Sequence, residues 1–436
     1  MSAQIIIPSG SRRIDQPLSI TLTGFAPDST VEVASRTTLS DHTSWRASAT
    51  FATDAQGNVD LSRHAPLHGD YEGVDSAGLI WSQSLDPDIP AQPVKDATAP
   101  VVTTLSARDA QGTTASATLE RFYRSDAIVR RDVRENGLVG TLFTPRSPGP
   151  HPAVVYFNGS GGGINEQRAA LLAEHGFAAL ALGYFGAPGL PGHISETPLA
   201  YFEKGLQWVK ANVRPAGDFI AVSGQSRGGE LSLLLAATFP DLVSAVVAYV
   251  PSSVTHSVLA AGRPGESRYA PAWTHHGKPL PTIWDNNQRG DSWAAVDQSA
   301  EPRRQAQPFV DAQTDAQAYA AARIPVERIN GPVLLISGGD DGYWPSSAYS
   351  RDVVNQLKAA QHAYPVQHLD YPGAGHSIQA PHVPTTQIAK AHAVSGVVLT
   401  AGGSARDNAH ANQDSWEKSL AFLHEAAAHA KAAKRG

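Results

Sequence analysis

The chain has no cysteine. That absence removes disulfides, thiolate metal sites and cysteine nucleophiles together, so any nucleophile must be an oxygen or a nitrogen. It also has no apolar run near the roughly 20 residues of a membrane span. Its first residues, Met1 to Pro8, lack a basic segment followed by a long apolar one, so no membrane partner is expected and the expected setting is cytoplasmic. No long basic run is present and the net charge is −6, which argues against nucleic acid as a partner. What remains is a chain of 436 residues, 42% apolar, which is long enough for two domains with sizeable cores.

Residues 1–125 read as β structure. Leu18 to Thr23 alternates, Thr30 to Val33 alternates less cleanly, and Val101 to Leu105 is strand-like. Between these runs, Gly24 to Ser29, Asp54 to Asn58 and Asp86 to Pro90 carry turn chemistry. Short strands, regular turns and no convincing helix predict an immunoglobulin-like β-sandwich without the disulfide. It offers no catalytic constellation. Its Leu79, Ile80 and Trp81 stand together and must be buried, either in the sandwich's own core or against the domain that follows.

The character changes near Phe122, and residues 126–436 alternate strands with helices. Leu138 to Phe143, Ala153 to Phe157 and Phe177 to Leu182 read as strands, and Gln167 to Gly176 as a helix with a glycine stop. Leu199 to Val213 is a further helix, with Phe202, Leu206 and Val209 on one face. Ala245 to Val250, Val333 to Ser337 and Gln367 to Tyr371 continue the strands, and Asp414 to Ala433 reads as a closing helix with a frayed end over 431–436. This rhythm predicts a mostly parallel sheet covered by helices on both faces. An excursion at about 251–328 interrupts it. That stretch is polar, holds Trp273, Trp284 and Trp293, and is too long for a simple connection, so it should run over the edge of the sheet where a site would lie. Its Gln/Ala-rich part around Asp311 to Arg323 is compatible with one helix.

One stretch organises the second domain. Gly224-Gln225-Ser226-Arg227-Gly228 lies between the apolar run Phe219 to Val222 and the Leu/Ala-rich run Leu231 to Phe239. Strand, tight turn and helix form the setting in which Gly-x-Ser-x-Gly becomes a nucleophile elbow. Gly224 and Gly228 would remove the Cβ atoms that collide in so tight a turn, and the Arg227 N–H at the helix start would face a developing oxyanion. A plain Gly/Ser turn before a helix is the alternative.

Serine needs a base, and the base needs a carboxylate to orient it. In the α/β-hydrolase order these follow as Ser, acid, His, each after a strand. Val333 to Ser337 is followed by Gly339-Asp340-Asp341-Gly342, and Gln367 to Tyr371 by Gly373-Ala374-Gly375-His376. His376 is therefore the candidate base. Asp341 is favoured as the acid, being nearer Pro345 where the next element begins, with Asp340 expected to hydrogen-bond the turn. His275 and His276 are expected to be surface residues, since adjacent side chains of an extended chain cannot face one point. The loop Asn158-Gly159-Ser160-Gly161-Gly162-Gly163 should supply the second oxyanion donor, from Ser160 or Gly161. No Lys-Ser/Thr pair follows these glycines, which excludes a phosphate-binding P-loop. The constellation calls for no metal and no cofactor.

The glycine loop, the elbow continued through Gly229-Glu230, Ile324-Pro325-Val326-Glu327-Arg328, Gly339-Asp340-Asp341 and Gly375-His376 together resemble the acyl-CoA thioesterase and bile acid-CoA:amino acid N-acyltransferase family. The resemblance covers nearly the whole chain. Leu67-His68-Gly69-Asp70-Tyr71-Glu72-Gly73-Val74-Asp75-Ser76-Ala77-Gly78-Leu79-Ile80-Trp81 looks like the signature of that family's amino-terminal sandwich, and Gly402-Gly403 to Trp416 like its carboxyl-terminal segment. It implies an acyl-transferring serine hydrolase with Ser226, Asp341 and His376 as triad, acting on a small-molecule acyl substrate such as an acyl-CoA. The amino-acid-conjugating branch carries cysteine where this chain has Ser226, so hydrolysis is implied over transfer to an amine. Arg227 stands where the mammalian thioesterases usually have lysine, and residues 263–304 look longer than theirs. The resemblance therefore bears on the reaction more than on the acyl group. An esterase or amidase for a non-CoA acyl compound is the runner-up, and a binding protein without turnover is the rival outside enzymes.

Overall fold

The computed structural model describes residues 2–8, 10 and 12–433. Contacts divide the chain into two units. The first is Met1–Ser125 with Gln379–Gln387 and Asn408–Gln413, and the second holds the remainder. The expectation that residues 126–436 form one uninterrupted domain is thus corrected, because two late segments belong with the first unit. The cause is local. Arg121, fully buried in the first unit, donates to the carbonyl of His382 at 2.9 Å, and the Thr385 N–H donates to the carbonyl of Trp81 at 3.0 Å. A buried guanidinium needs acceptors, and a late segment supplies one.

The first unit is an uneven sandwich. A six-stranded antiparallel sheet is built on Thr30–Thr38, Ser44–Ala52, Val101–Asp109 and Thr114–Arg121, and a three-stranded sheet on Gln4–Ile6, Thr21–Thr23 and Val59–Asp60. Val101–Asp109 alternates buried and exposed residues without a fault, as expected of a sheet with one face on a core and one in water. Thr30–Thr38 is longer and cleaner than the sequence suggests, because the small polar Ser35 and Thr37 also point inward and are satisfied there. The Thr37 and Thr103 hydroxyls bond each other at 2.7 Å. Gly78–Trp81 is a helical turn, an element missing from the all-β reading. Leu79 and Ile80 are fully buried, Ser35 Oγ donates to the Leu79 carbonyl, and the Trp81 indole N–H donates to Asp75 at 2.8 Å while its ring meets Tyr71 edge-on.

The second unit carries an eight-stranded sheet. Its strands are β1 (Ile128–Val133), β2 (Val139–Pro145), β3 (Ala153–Phe157), β4 (Ala178–Gly183), β5 (Ile220–Gln225), β6 (Ala245–Tyr249), β7 (Val333–Gly338) and β8 (Val366–Tyr371). The spatial order is β1-β2-β4-β3-β5-β6-β7-β8, antiparallel at the first two pairings and parallel from β4 onward. This is the α/β-hydrolase architecture. Strands β3, β4 and β6 are buried at every position, which is why they read as unbroken apolar runs. The edge strands β1 and β8 keep polar residues outward.

Glu166–Glu174 begins on Asn165, whose side chain accepts from the Arg168 N–H at 3.1 Å, and ends before Gly176 at φ +88°. Leu199–Asn212 buries Phe202, Leu206 and Val209. The closing helix is longer than expected, Ala405–Ala433. Ser404 caps it by accepting the Asp407 N–H at 3.0 Å, and the polar first turns hid its start from any apolar pattern. The expected frayed end over 431–436 lies partly outside the described residues.

The excursion is ordered. Trp273–His275 pairs with Thr197–Pro198 and Lys278–Pro279, and the Gln/Ala-rich part forms two short helices, Ala306–Ala312 and Ala316–Ala322, rather than one. Asp315 breaks the run by capping the second helix with its carboxylate. Trp284 and Trp293 are buried with Phe309, Trp344 and Tyr349 in a cluster of their own. His275 and His276 depart from the extended chain assumed above. At His276 the backbone turns through φ +50°, and the two rings lie 3.9 Å apart, His276 exposed and His275 partly so.

Candidate active site

Ser226 sits between β5 and the helix Arg227–Thr238 with φ +60° and ψ −120°, a conformation costly for any residue with a side chain. Close backbone contacts force it. A Cβ on Gly224 would lie 2.4 Å from the carbonyl oxygen of Gly228, and one on Gly228 would lie 2.4 Å from that of Phe157, so only glycine fits at either place. The Ser226 N–H donates to the Tyr249 carbonyl at 2.9 Å, and its own carbonyl accepts from Gly229 and Glu230. Arg227 N is the first helical N–H and has no acceptor within its helix. It stands beside the serine.

The Arg227 side chain turns the other way, into the protein. It is 1% exposed and pairs at 2.9 Å with Glu230, which is fully buried. Its guanidinium also donates to the carbonyls of His256 and Ser257, and the Trp273 indole N–H donates to Glu230 at 2.8 Å. Burial raises the Glu230 carboxyl pKa, and Arg227 pulls it back down. His256, stacked on Trp344, is held well below the usual histidine range by burial and by Arg227. The first turn of the helix that follows Ser226 is thereby fastened to the excursion.

Asp341 and His376 meet. His376 Nδ1 lies 2.9 and 2.8 Å from the two Asp341 oxygens, and both residues are 4% exposed. The Asp341 carboxylate also accepts the N–H groups of Tyr343 and Trp344 at 2.9 and 3.2 Å, which fixes its orientation. Asp340 is exposed and does not bond its own turn as expected. It pairs with Arg304 at 2.8 Å and accepts the Gly403 N–H. His376 N donates to the Ala401 carbonyl, its own carbonyl accepts from Gln225 Nε2 at 3.1 Å, and its ring stacks on Tyr343 at 4.5 Å. His376 Nε2 is buried and bonds no protein atom, Ser226 Oγ included. Such contacts are often made only once substrate is bound.

Ser226, Arg227 and Ser160 line one cavity of about 30 Å³. The excursion contributes Val258, Leu259, Ala260, Gln305 and Phe309 to it, and the hairpin Ala389–Ala391/Val398–Thr400 brings His392 and Leu399. In the glycine loop the N–H groups of Gly162 and Gly163 are spent on the carbonyls of Gly159 and Phe185. Gly161 is exposed and lies outside the cavity, so Ser160 is the better placed of the two oxyanion candidates. A second cavity of about 290 Å³ shares Leu259, Ala260, Gln305 and Leu399 with the first and continues past Arg268, Trp293 and Arg303. Among the described residues no group of His, Asp and Glu is arranged to hold a metal ion, and no helix is long and apolar enough to cross a membrane.

Residues 15–135 match the family described as acyl-CoA thioester hydrolase/BAAT N-terminal region, and residues 197–429 match BAAT/acyl-CoA thioester hydrolase C terminal. The chain belongs to the acyl-CoA thioester hydrolase/BAAT family. Acyl-coenzyme A thioesterase 1 of Mus musculus is 32% identical over 426 residues, 96% of this chain and 95% of that one. The peroxisomal succinyl-coenzyme A thioesterase of Mus musculus is 30% identical over 443 residues, 98% of each. A solved structure, a dienelactone hydrolase-like promiscuous phosphotriesterase from metagenomic libraries, has 19% identity and a TM-score of 0.39, covering 69% of this chain and 98% of that one.

Several residues that shape the site in this family member escaped the reading of the sequence. Gln225 occupies the variable position of the elbow motif, yet its side chain holds the His376 backbone. His392 lies in a stretch without periodicity, one histidine among 17. Gly402 stands in the Gly402-Gly403 pair. Its φ is +75° and a Cβ there would lie 2.0 Å from the Asp340 carbonyl oxygen, so glycine is required where this strand end crosses the turn that holds Asp340 and Asp341. The glycine pair was the one available signal.

Proposed function

We propose that the protein hydrolyses acyl-CoA thioesters through an acyl-enzyme on Ser226. The observation that carries this reading is the strained serine at a helix start, in a family of acyl-CoA thioester hydrolases, with a buried Asp341–His376 pair whose free ring nitrogen has no other partner. His376 Nε2 takes the Ser226 proton as Oγ attacks the thioester carbon. The C–S bond then breaks, and the thiolate leaves with the proton carried by His376. Water next attacks the acyl-serine with His376 as base, releasing the acid and restoring the serine hydroxyl. Asp341 holds the ring by its Nδ1–H and stabilises the imidazolium. The N–H groups of Arg227 and Ser160 bind the oxyanion in each step.

A cavity of about 30 Å³ holds little more than water. An acyl group therefore enters only if side chains of the excursion and the hairpin move aside, and the adjoining larger cavity is the direction open to it. A serine-directed fluorophosphonate should label Ser226, and Ser226→Ala should lower kcat by about 10⁶-fold with the fold intact. An adduct mapped by mass spectrometry to another residue would remove the assignment. Acyl-CoA esters assayed beside oxygen esters and amides of the same acyl groups test the leaving group; preference for the oxygen esters would favour the esterase reading.

A further inference from the structure

A second serine stands in the cavity of Ser226, and its side chain has a dedicated partner. The glycine loop delivers it. A Cβ on Gly159 would lie 3.3 Å from the Ser226 Cβ and 3.8 Å from its Oγ, so the loop runs directly past the nucleophile, and Ser160 follows at once. Ser160 Oγ lies 3.0 Å from His392 Nε2, and both residues line the cavity.

The direction of that hydrogen bond follows from the other ring nitrogen. His392 Nδ1 faces two donors, the backbone N–H groups of Val394 and Ser395 at 3.3 and 3.4 Å, and it can only accept from them. A neutral imidazole accepting at Nδ1 carries its proton on Nε2. The ring is neutral. Burial, reinforced by Lys390 and Arg227, pushes its pKa down to about 4. His392 therefore donates to Ser160 Oγ, which leaves the hydrogen of the Ser160 hydroxyl uncommitted. An acceptor-only partner would have consumed it.

We infer that the Ser160 hydroxyl is itself an oxyanion donor, aimed by His392 at the carbonyl oxygen of the acyl group attached to Ser226. The inference rests on the acyl-serine reading above. No bond to Ser160 is made or broken, and its proton stays on the hydroxyl while negative charge comes and goes on the substrate oxygen. Ser160 is then a catalytic residue and His392 a positioning residue that acts only through it. The hydroxyl adds to the backbone N–H donors.

Ser160→Ala isolates the side chain, because it keeps the Ser160 N–H. With acyl-CoA substrate, its kcat should fall by about 10²-fold or more, the size of effect seen when one oxyanion donor is lost, while KM changes little. His392→Leu should lower kcat by roughly tenfold, and His392→Gln, which retains a donor, should recover part of that loss. The Ser160→Ala/His392→Leu double variant should be no slower than Ser160→Ala alone, since a positioning residue has nothing left to position. Wild-type kcat in Ser160→Ala overturns the inference, as do losses that multiply in the double variant. Ser160→Gly, with thermal midpoints for every variant, repeats the reading should alanine disturb the loop. Ser226→Ala is run alongside. Turnover surviving there removes the acyl-serine reading itself, whereas a dead Ser226→Ala beside a fully active Ser160→Ala removes only the role given to Ser160.

Discussion

The elbow at Ser226 and the wall that carries His376 reach the same site by opposite means. The elbow's glycines lie within a few residues of each other, where Gly224 passes the Gly228 carbonyl and Gly228 passes that of Phe157 at distances no Cβ permits. The opposite wall is assembled from three separated pieces: the turn at 338–342, the loop at 372–376 and the strand end at 400–403. They also cross backbone to backbone, for a Cβ on Gly375 would lie 2.2 Å from the Gly402 carbonyl oxygen. The same steric device serves both. At the elbow the two glycines stand close together in sequence and announce themselves, whereas Gly375 and Gly402 are well separated and stay silent until the chain folds.

The largest effect should come from the charge in the distal wall. Asp341→Asn leaves the shape nearly unchanged but removes the carboxylate from His376, and kcat should fall by about 10⁴-fold. The same change at Asp340, exposed and paired with Arg304, should cost far less, because an exposed pair is worth no more than about 1 kcal/mol. Equal losses would mean that the acid has been assigned to the wrong aspartate.

The next effect tests the elbow's anchorage. Glu230→Gln leaves the buried Arg227 guanidinium without its counter-charge, and unfolding of the second unit in urea should show a loss of about 3 to 5 kcal/mol. Glu327→Gln, which breaks a half-exposed pair with Arg323, is the control and should lose less than about 1 kcal/mol. Comparable losses would show that the buried pair contributes no more than a surface one.

The smallest effect is a pH dependence of stability. His392 has a folded pKa near 4 against 6.5 when unfolded. The unfolded chain thus binds the extra proton first as pH falls. Stability from this ring is complete above pH 6.5, drains away between 6.5 and about 4, and changes no further below that, for a total of about 3 kcal/mol. His392→Gln should flatten the denaturation midpoint over this window. The slope that remains belongs in part to His382, also lowered to about 4 by burial and by Arg121. An unchanged profile in the variant would show that His392 titrates normally.

Ser226, Asp341 and His376 stand out as candidates because glycines mark the turn after the strand that precedes each; the apolar run is unbroken before the first two, whereas the edge strand before His376 mixes polar and apolar residues. Periodicity located those strands, and the order of elements placed all three at one sheet edge. The excursion was harder. Its two short helices are separated by an Asp315 cap within a composition that looks uniformly helical, and Trp284 and Trp293 were visible without the cluster that buries them. The closing helix lost its first turns because 405–413 is polar. His392 had no local signal. Its role depends on a hairpin whose strands are three residues long, and on a serine 232 residues earlier.

By itself the sequence determined the parallel sheet and the tight turn at Ser226, because these rest on the periodic burial of side chains and on local sterics, and its motifs carried the family. The tertiary structure alone decided which late segments join the first unit, how the Arg227–Glu230 pair is enclosed, and that Ser160 and His392 share the cavity of Ser226. Those outcomes depend on polar groups finding partners after burial. A group far along the chain can satisfy such a need as well as a near one, so spacing in the sequence carries no record of the choice.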